Sequence, residues 1–334
     1  MAVSYTHLHS GGGLFIYGEG RTAMTIIEWL LEGDIVIQYL ANKYLLEQPT
    51  DHKDGGYIGR YLDLYDRGEE KWGGSIYTRK WICSTYTLLE LKYMEIRYDD
   101  PCYQGAAGMV MDDLWKCHGR ISKTRYQDMC MSAMVLSIVC YARMEDERIY
   151  EIIDYILGHQ MKDGGWNCTW DSVHNRSLAG SVHTTLSVLE ALADYERYGY
   201  GYRLKEIKDQ AALGQEYLLR RELFKSLSTG EPIHQDMVHF HYPCRWKYDC
   251  FRALEYFTRI GYPYDGRMKD ALDKVKAELQ KGYINRGKSY AGKVHFPLET
   301  GTKGRFNTFR GMFILKCYDK DAYDNIAGLK FSYG

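Results

Sequence analysis

Lys162-Asp163-Gly164-Gly165-Trp166, followed after a loop by His183-Thr184-Thr185-Leu186-Ser187-Val188-Leu189, decides how this chain is read. The first stretch is a glycine turn closing on an indole. The second opens polar and then becomes apolar, as a helix does when it starts at a surface and runs inward. Lys53-Asp54-Gly55-Gly56-Tyr57 repeats the first stretch 109 residues earlier. Thr85-Tyr86-Thr87-Leu88-Leu89-Glu90-Leu91, Tyr248-Asp249-Cys250-Phe251-Arg252-Ala253-Leu254 and Phe306-Asn307-Thr308-Phe309-Arg310-Gly311-Met312 repeat the second. With a further start near Asp128, the third positions 87, 130, 185, 250 and 308 lie 43, 55, 65 and 58 residues apart. Such spacing fits a helical hairpin plus its loops, at about six units in the chain.

Outward from these starts, apolar residues recur at helical spacing over 25–31, 36–46, 86–96, 130–143, 148–159, 183–198, 204–220, 249–260, 268–281 and 307–318. Strand-like alternation is scarce, so the class is all-α. A helical hairpin cannot bury both faces alone, whereas several can if inner helices form a ring inside a ring of outer ones. The expectation is an α/α toroid of about five to six helical hairpins, as one domain over 1–334. The starts of the inner helices then crowd one mouth, where free N–H groups and helix dipoles favour anions.

Composition narrows the function classes. Charged residues make up 26% and nearly cancel, leaving a net charge of −1, and no basic run is present to track phosphates, so nucleic acid is not an expected partner. There is no apolar run long enough to span a bilayer and no secretory pattern at the N-terminus. Nine scattered cysteines, an odd number in a long chain, argue against a disulfide scaffold and for a reducing cytoplasm. The 31 tyrosines suit a pocket wall or a packed helical core equally well.

Three ligand types fall at two of the starts. Asp128 and Cys130 open one helix, and His183 opens the next inner one. Carboxylate, thiolate and imidazole all bind zinc, and three protein ligands leave the fourth position open for catalysis. Taken singly, Asp128 is an ordinary helix cap, Cys130 a small core residue and His183 a satisfied core histidine. At matched repeat positions they point to one metal site. Cys168, after Gly164-Gly165-Trp166-Asn167, is either a fourth ligand or a buried thiol; His174 shares its loop.

Gly119-Arg120, Lys123, Asp128-Met129-Cys130, Gln160, Gly164-Gly165-Trp166 and His183-Thr184 together resemble the β-subunits of protein prenyltransferases. The likeness spans roughly 119–195. The Gly-Gly-aromatic repeats are shared with squalene and hopene cyclases, and the whole resembles uncharacterised bacterial prenyltransferase-like proteins. The resemblance implies zinc on Asp128, Cys130 and His183, and diphosphate contacts from Arg120 and Lys123. This sequence has two extra residues between Lys123 and Asp128, Met131 where the family often has tyrosine, and Trp72 where farnesyltransferases carry a histidine. The cyclase acid motif Asp-x-Asp-Asp is absent; Asp99-Asp100 and Asp112-Asp113 read as solvated carboxylates.

The dense segment His239 to Asp249 leads into another inner helix. Around the mouth it is expected to place His241, Tyr248 and Asp249 as catalytic groups and Arg245 and Trp246 as substrate contacts, with Tyr86 on the cavity wall. Arg305 and Arg310 suit an anionic group. The leading expectation is a zinc-dependent transferase of the prenyltransferase type, acting on a small molecule such as a prenyl diphosphate. The alternatives are a zinc hydrolase or lyase on a carbohydrate-like substrate, favoured by a polar, tyrosine-lined cavity, and a zinc-stabilised scaffold without activity. An α-subunit partner or a homo-oligomer is compatible with the sequence.

Overall fold

The computed structural model describes residues 23–51, 54–172, 176–287 and 290–333. His174 and Lys53 lie outside the described residues. The chain is mostly helical. In chain order its helices are α1 (Ile26–Leu31), α2 (Ile35–Leu40), α3 (Gly56–Leu62), α4 (Ser84–Tyr93), α5 (Pro101–Leu114), α6 (Met129–Tyr141) and α7 (Arg148–Gly158). There follow α8 (Val182–Arg197), α9 (Leu204–Leu219), α10 (Cys250–Arg259), α11 (Lys269–Leu279), α12 (Arg305–Tyr318) and α13 (Lys320–Gly328). Four two-residue strands make two short antiparallel pairs, β1 (Met24–Thr25) with β4 (Lys330–Phe331) and β2 (Ile284–Asn285) with β3 (Lys303–Gly304).

Two kinds of helix alternate along the chain, and their sequences say why. In α7 the buried residues are Ile149, Ile152, Ile153, Tyr155, Ile156 and Leu157, an i, i+3, i+4 stripe with charges opposite. α9, α11 and α13 carry similar stripes and similarly keep a wet face. In α6, by contrast, Ser132 through Tyr141 are all buried. α4, α8, α10 and α12 are buried almost as completely. A helix apolar on every side needs neighbours on every side. α6 packs between α4 and α8 and against α5 and α7; α10 packs on α8 and α12; α12 packs on α2. The first and last segments meet, since β1 pairs with β4 and Trp29 stacks on Tyr333 at 4.5 Å.

Where α4, α8, α10 and α12 face one another, the side chains are charged and paired. Lys92 pairs with Asp194, which also accepts from the Ser137 hydroxyl at 2.6 Å. Arg252 donates through Nε to Glu190 at 3.0 Å. Glu255 accepts from Arg310 at 2.6 Å and Arg259 at 2.8 Å. Buried charges persist only where opposite charge and hydrogen bonds meet them, and each of these is met. No helix among the described residues is long and apolar enough to cross a membrane.

Candidate functional site

One device recurs at the starts of the buried helices. The backbone N–H of an incoming residue is held by a side-chain oxygen at the start of the next buried helix. Trp72 donates to Ser84 Oγ at 3.0 Å, Trp166 to Thr185 Oγ1 at 3.0 Å and Ile284 to Thr308 Oγ1 at 2.9 Å. At α10 the holder is a carboxylate: His241 donates to Asp249 Oδ2 at 3.3 Å. The two indoles match further, Trp72 Nε1 donating to Tyr61 O and Trp166 Nε1 to Ile156 O. Trp72 is thus the counterpart of Trp166, a role that its neighbouring glycines do not reveal.

The glycine turn before α8 delivers Cys168 to the start of α6. Gly164 sits at φ +89°, and a Cβ on Gly165 would lie 2.9 Å from both Gly180 Cα and Thr185 Oγ1. The turn therefore packs flush on α8, and the chain leaving it brings the Cys168 sulfur 3.3 Å from the backbone N–H of Cys130. Thr184 Oγ1 lies 3.4 Å from the same sulfur. The Cys130 thiol also donates to it, which is the main reason the Cys168 thiol falls to about 7 against the opposing effect of burial. The same hydrogen bond, with burial, drives Cys130 far upward. Donors at a helix N-terminus favour thiolate at the sulfur they surround.

The expected zinc ligands are positioned as follows. Asp128 stands at the N-cap position of α6 without a side-chain cap bond, and its Oδ1 accepts from Arg125 at 2.9 Å. His183, in the first turn of α8, accepts the Tyr248 N–H on Nδ1 at 2.8 Å. Burial first, and then the charges of Arg252 and Lys247, lower its pKa to about 4, so the ring is neutral at pH 7. A neutral ring that accepts on Nδ1 carries its proton on Nε2, whereas a metal-bound histidine donates from its second nitrogen. Among the described residues no group of three or more His, Cys, Asp and Glu side chains is placed to hold a metal ion. In this conformation the Tyr248 N–H occupies the His183 lone pair that a metal would need.

The other expected site residues divide by what they touch. Asp249 is fully buried and caps α10, its Oδ1 accepting the Arg252 N–H at 2.7 Å and its Oδ2 facing His241 Nδ1 at 3.2 Å. The Tyr248 hydroxyl donates to Leu223 O, and the His241 ring stacks on Tyr290 at 4.7 Å. These three groups brace the loop before α10. Arg120 and Lys123 sit on an exposed hairpin, where Arg120 donates to the Tyr126 hydroxyl and the Lys123 carbonyl. Arg305 covers the Trp29 ring at 4.5 Å, and Arg310 is bound to Glu255.

Tyr86 and Arg245 both pack on Trp81, and Trp246 lies beside His183. Tyr86 lies edge-on to Trp81 at 4.7 Å, with its hydroxyl 3.5 Å from that of Tyr77. Arg245 covers Trp81 at 5.2 Å and pairs with Glu90, which also accepts from Tyr61. The Trp246 ring lies 5.6 Å from His183, and its buried Nε1 has no hydrogen-bond partner among the described residues. That N–H is a donor left for an acceptor brought from outside. A cavity of about 110 Å³ adjoins, walled by Trp81, Tyr242 and Phe296 and by two carboxylates, Glu90 and Glu299. Burial raises Glu299 to about 7 although it caps α12 through the N–H groups of Arg305 and Phe306. Sequence reasoning passed over both. Glu90 left one signal, a lone charge inside Leu88-Leu89-Glu90-Leu91.

No protein-family model matches the chain, and no curated protein matches it.

Proposed function

We propose that the chain is one α/α-toroid domain over 1–334 and an enzyme whose reacting group is the Cys168 thiol. The toroid is supported by the succession of buried helices and by the pairing of β1 with β4, which joins the first and last described elements. The observation that carries the enzymatic reading is the convergence of the Cys130 N–H and the Thr184 hydroxyl on one half-buried sulfur. Those donors stabilise the anion that attacks. A sulfur–carbon bond forms as the substrate's leaving group departs, and water or a second substrate then takes the group from sulfur. The Arg245–Glu90 pair beside Trp81 favours a polar, carbohydrate-like substrate over an apolar chain.

The test is alkylation by iodoacetamide, read by mass spectrometry. Cys168 is expected to label first at pH 7, and Cys130→Ala, which removes the side-chain donor, to slow it. If Cys168 labels no faster than the exposed Cys117 and Cys317, the reading fails.

A second reading is the zinc-dependent transferase of the prenyltransferase type, using a prenyl diphosphate. It is favoured by the packing of α6 on α8, which sets Asp128, Cys130, Cys168 and His183 at the same end of two neighbouring helices. It requires Tyr248 N–H to release His183 Nδ1. Zinc in the purified protein, lost in Cys130→Ala, together with prenyl diphosphate binding would establish it; a metal-free protein that binds none would end it.

A further inference from the structure

At the other ends of α4, α6, α8 and α10 lies a cavity of about 380 Å³. It is roughly 20 Å from the thiol pair along α6, whose 13 residues rise about 1.5 Å each. Six basic side chains line it against two carboxylates, Glu95 and Asp194. Both carboxylates are already bound, Glu95 to Lys43 and Asp194 to Lys92. Arg97 pairs with Asp99 and Arg259 with Glu255, neither acid belonging to the cavity wall. Two cations then stand without a carboxylate among the described residues. Arg143 lies over the Tyr98 ring at 3.9 Å, and Arg197 gives one N–H to the Arg259 carbonyl at 2.8 Å.

Helix C-termini carry about half a negative charge each, and that offsets part of the excess. It does not use the remaining guanidinium N–H groups, which present a flat fork matched to phosphate. Six tyrosines share the wall, among them Tyr98, Tyr141 and Tyr198 at the ends of three successive buried helices. Tyrosine offers a ring face and a hydroxyl together. Cations without acids, ring faces, and a volume in the usual range for small ligands thus occur in one place.

We infer that this cavity binds a phosphate monoester carried on a ring, gripped by Arg143 and Arg197 while the tyrosines cover the ring. The site is separate from the thiol pair and stands whether or not Cys168 reacts. Both arginines are exposed, so Arg143→Gln and Arg197→Gln should fold as wild type. Isothermal titration of the full chain would use glucose 1-phosphate, AMP, inorganic phosphate and glucose as probes. Glucose 1-phosphate or AMP is expected to bind more tightly than phosphate or glucose, and whichever binds better distinguishes a sugar from a nucleotide source. The double variant should weaken that binding about tenfold or more, the loss expected for charged hydrogen bonds. The inference is overturned if neither ring phosphate binds at roughly 5 mM, if phosphate alone binds as well, or if the double variant binds unchanged.

Discussion

Glu299→Gln should make the protein more stable at alkaline pH and leave it nearly unchanged at acid pH. Burial lifts the Glu299 carboxyl from its ordinary 4.5 to about 7 in the folded chain. Below pH 4.5 both folded and unfolded chains keep the proton, and nothing is lost. As pH rises from 4.5 to 7, the unfolded chain releases its proton while the folded chain retains it, so stability falls. At about 1.4 kcal/mol per pH unit the loss comes to about 3.5 kcal/mol and is complete above pH 7. Glutamine keeps an oxygen for the Arg305 and Phe306 N–H groups and carries no charge to desolvate. Urea unfolding followed by circular dichroism at pH 4.5, 6 and 8 would measure the gap. A gap that stays constant with pH, or that favours wild type at pH 8, would refute the reasoning.

Further outcomes follow from the same geometry. His295, lowered to about 4 mainly by burial, contributes stability above its ordinary 6.5 that is lost as pH falls through 4. His295→Gln should flatten this acid loss, seen as a shallower drop in unfolding free energy between pH 7 and 4. Glu255→Ala leaves Arg310 and Arg259 buried without their carboxylate and should cost about 3–5 kcal/mol in urea unfolding. Asp249→Ala should cost about 2 kcal/mol by freeing the Arg252 and His241 N–H groups. Asp249→Thr should recover part of it, because Ser84, Thr185 and Thr308 do the same work elsewhere.

The long helices were legible because their apolar residues recur at helical spacing, as in 148–159 and 204–220. α3, α5 and α13 were missed. α5 opens on Asp100-Pro101, a cap followed by proline in the first turn, with Asp100 accepting from the Cys102 and Tyr103 N–H groups. Gly105 and Gly108 thinned the apolar pattern that would have supported those signals. The carboxylate pairs read as solvated did find surface partners, Asp99 on Arg97, Asp112 on Arg148 and Asp113 on Lys116. Spacing brought out the starts near Cys130 and His183. It could not bring out the hydrogen bond from Tyr248 to His183, because that partner comes from a loop 65 residues away.

Local pattern hides the charged pairs between the buried helices. Glu190, Asp194, Arg252, Glu255 and Arg310 each have a partner on another helix. α6 contributes only Ser137 to these pairs, which is consistent with its burial between two helices. Prenyl chemistry needs a wall that an apolar chain can wet. An isoprenoid seated against the Arg245–Glu90 pair would exclude water from it and return no hydrogen bonds, and polar groups in that position cost free energy unless bonded. A hydroxyl-rich substrate can replace the displaced water bond for bond. In the proposed reading, the Trp246 N–H beside His183 and the Arg245–Glu90 pair offer it a donor and an ion pair.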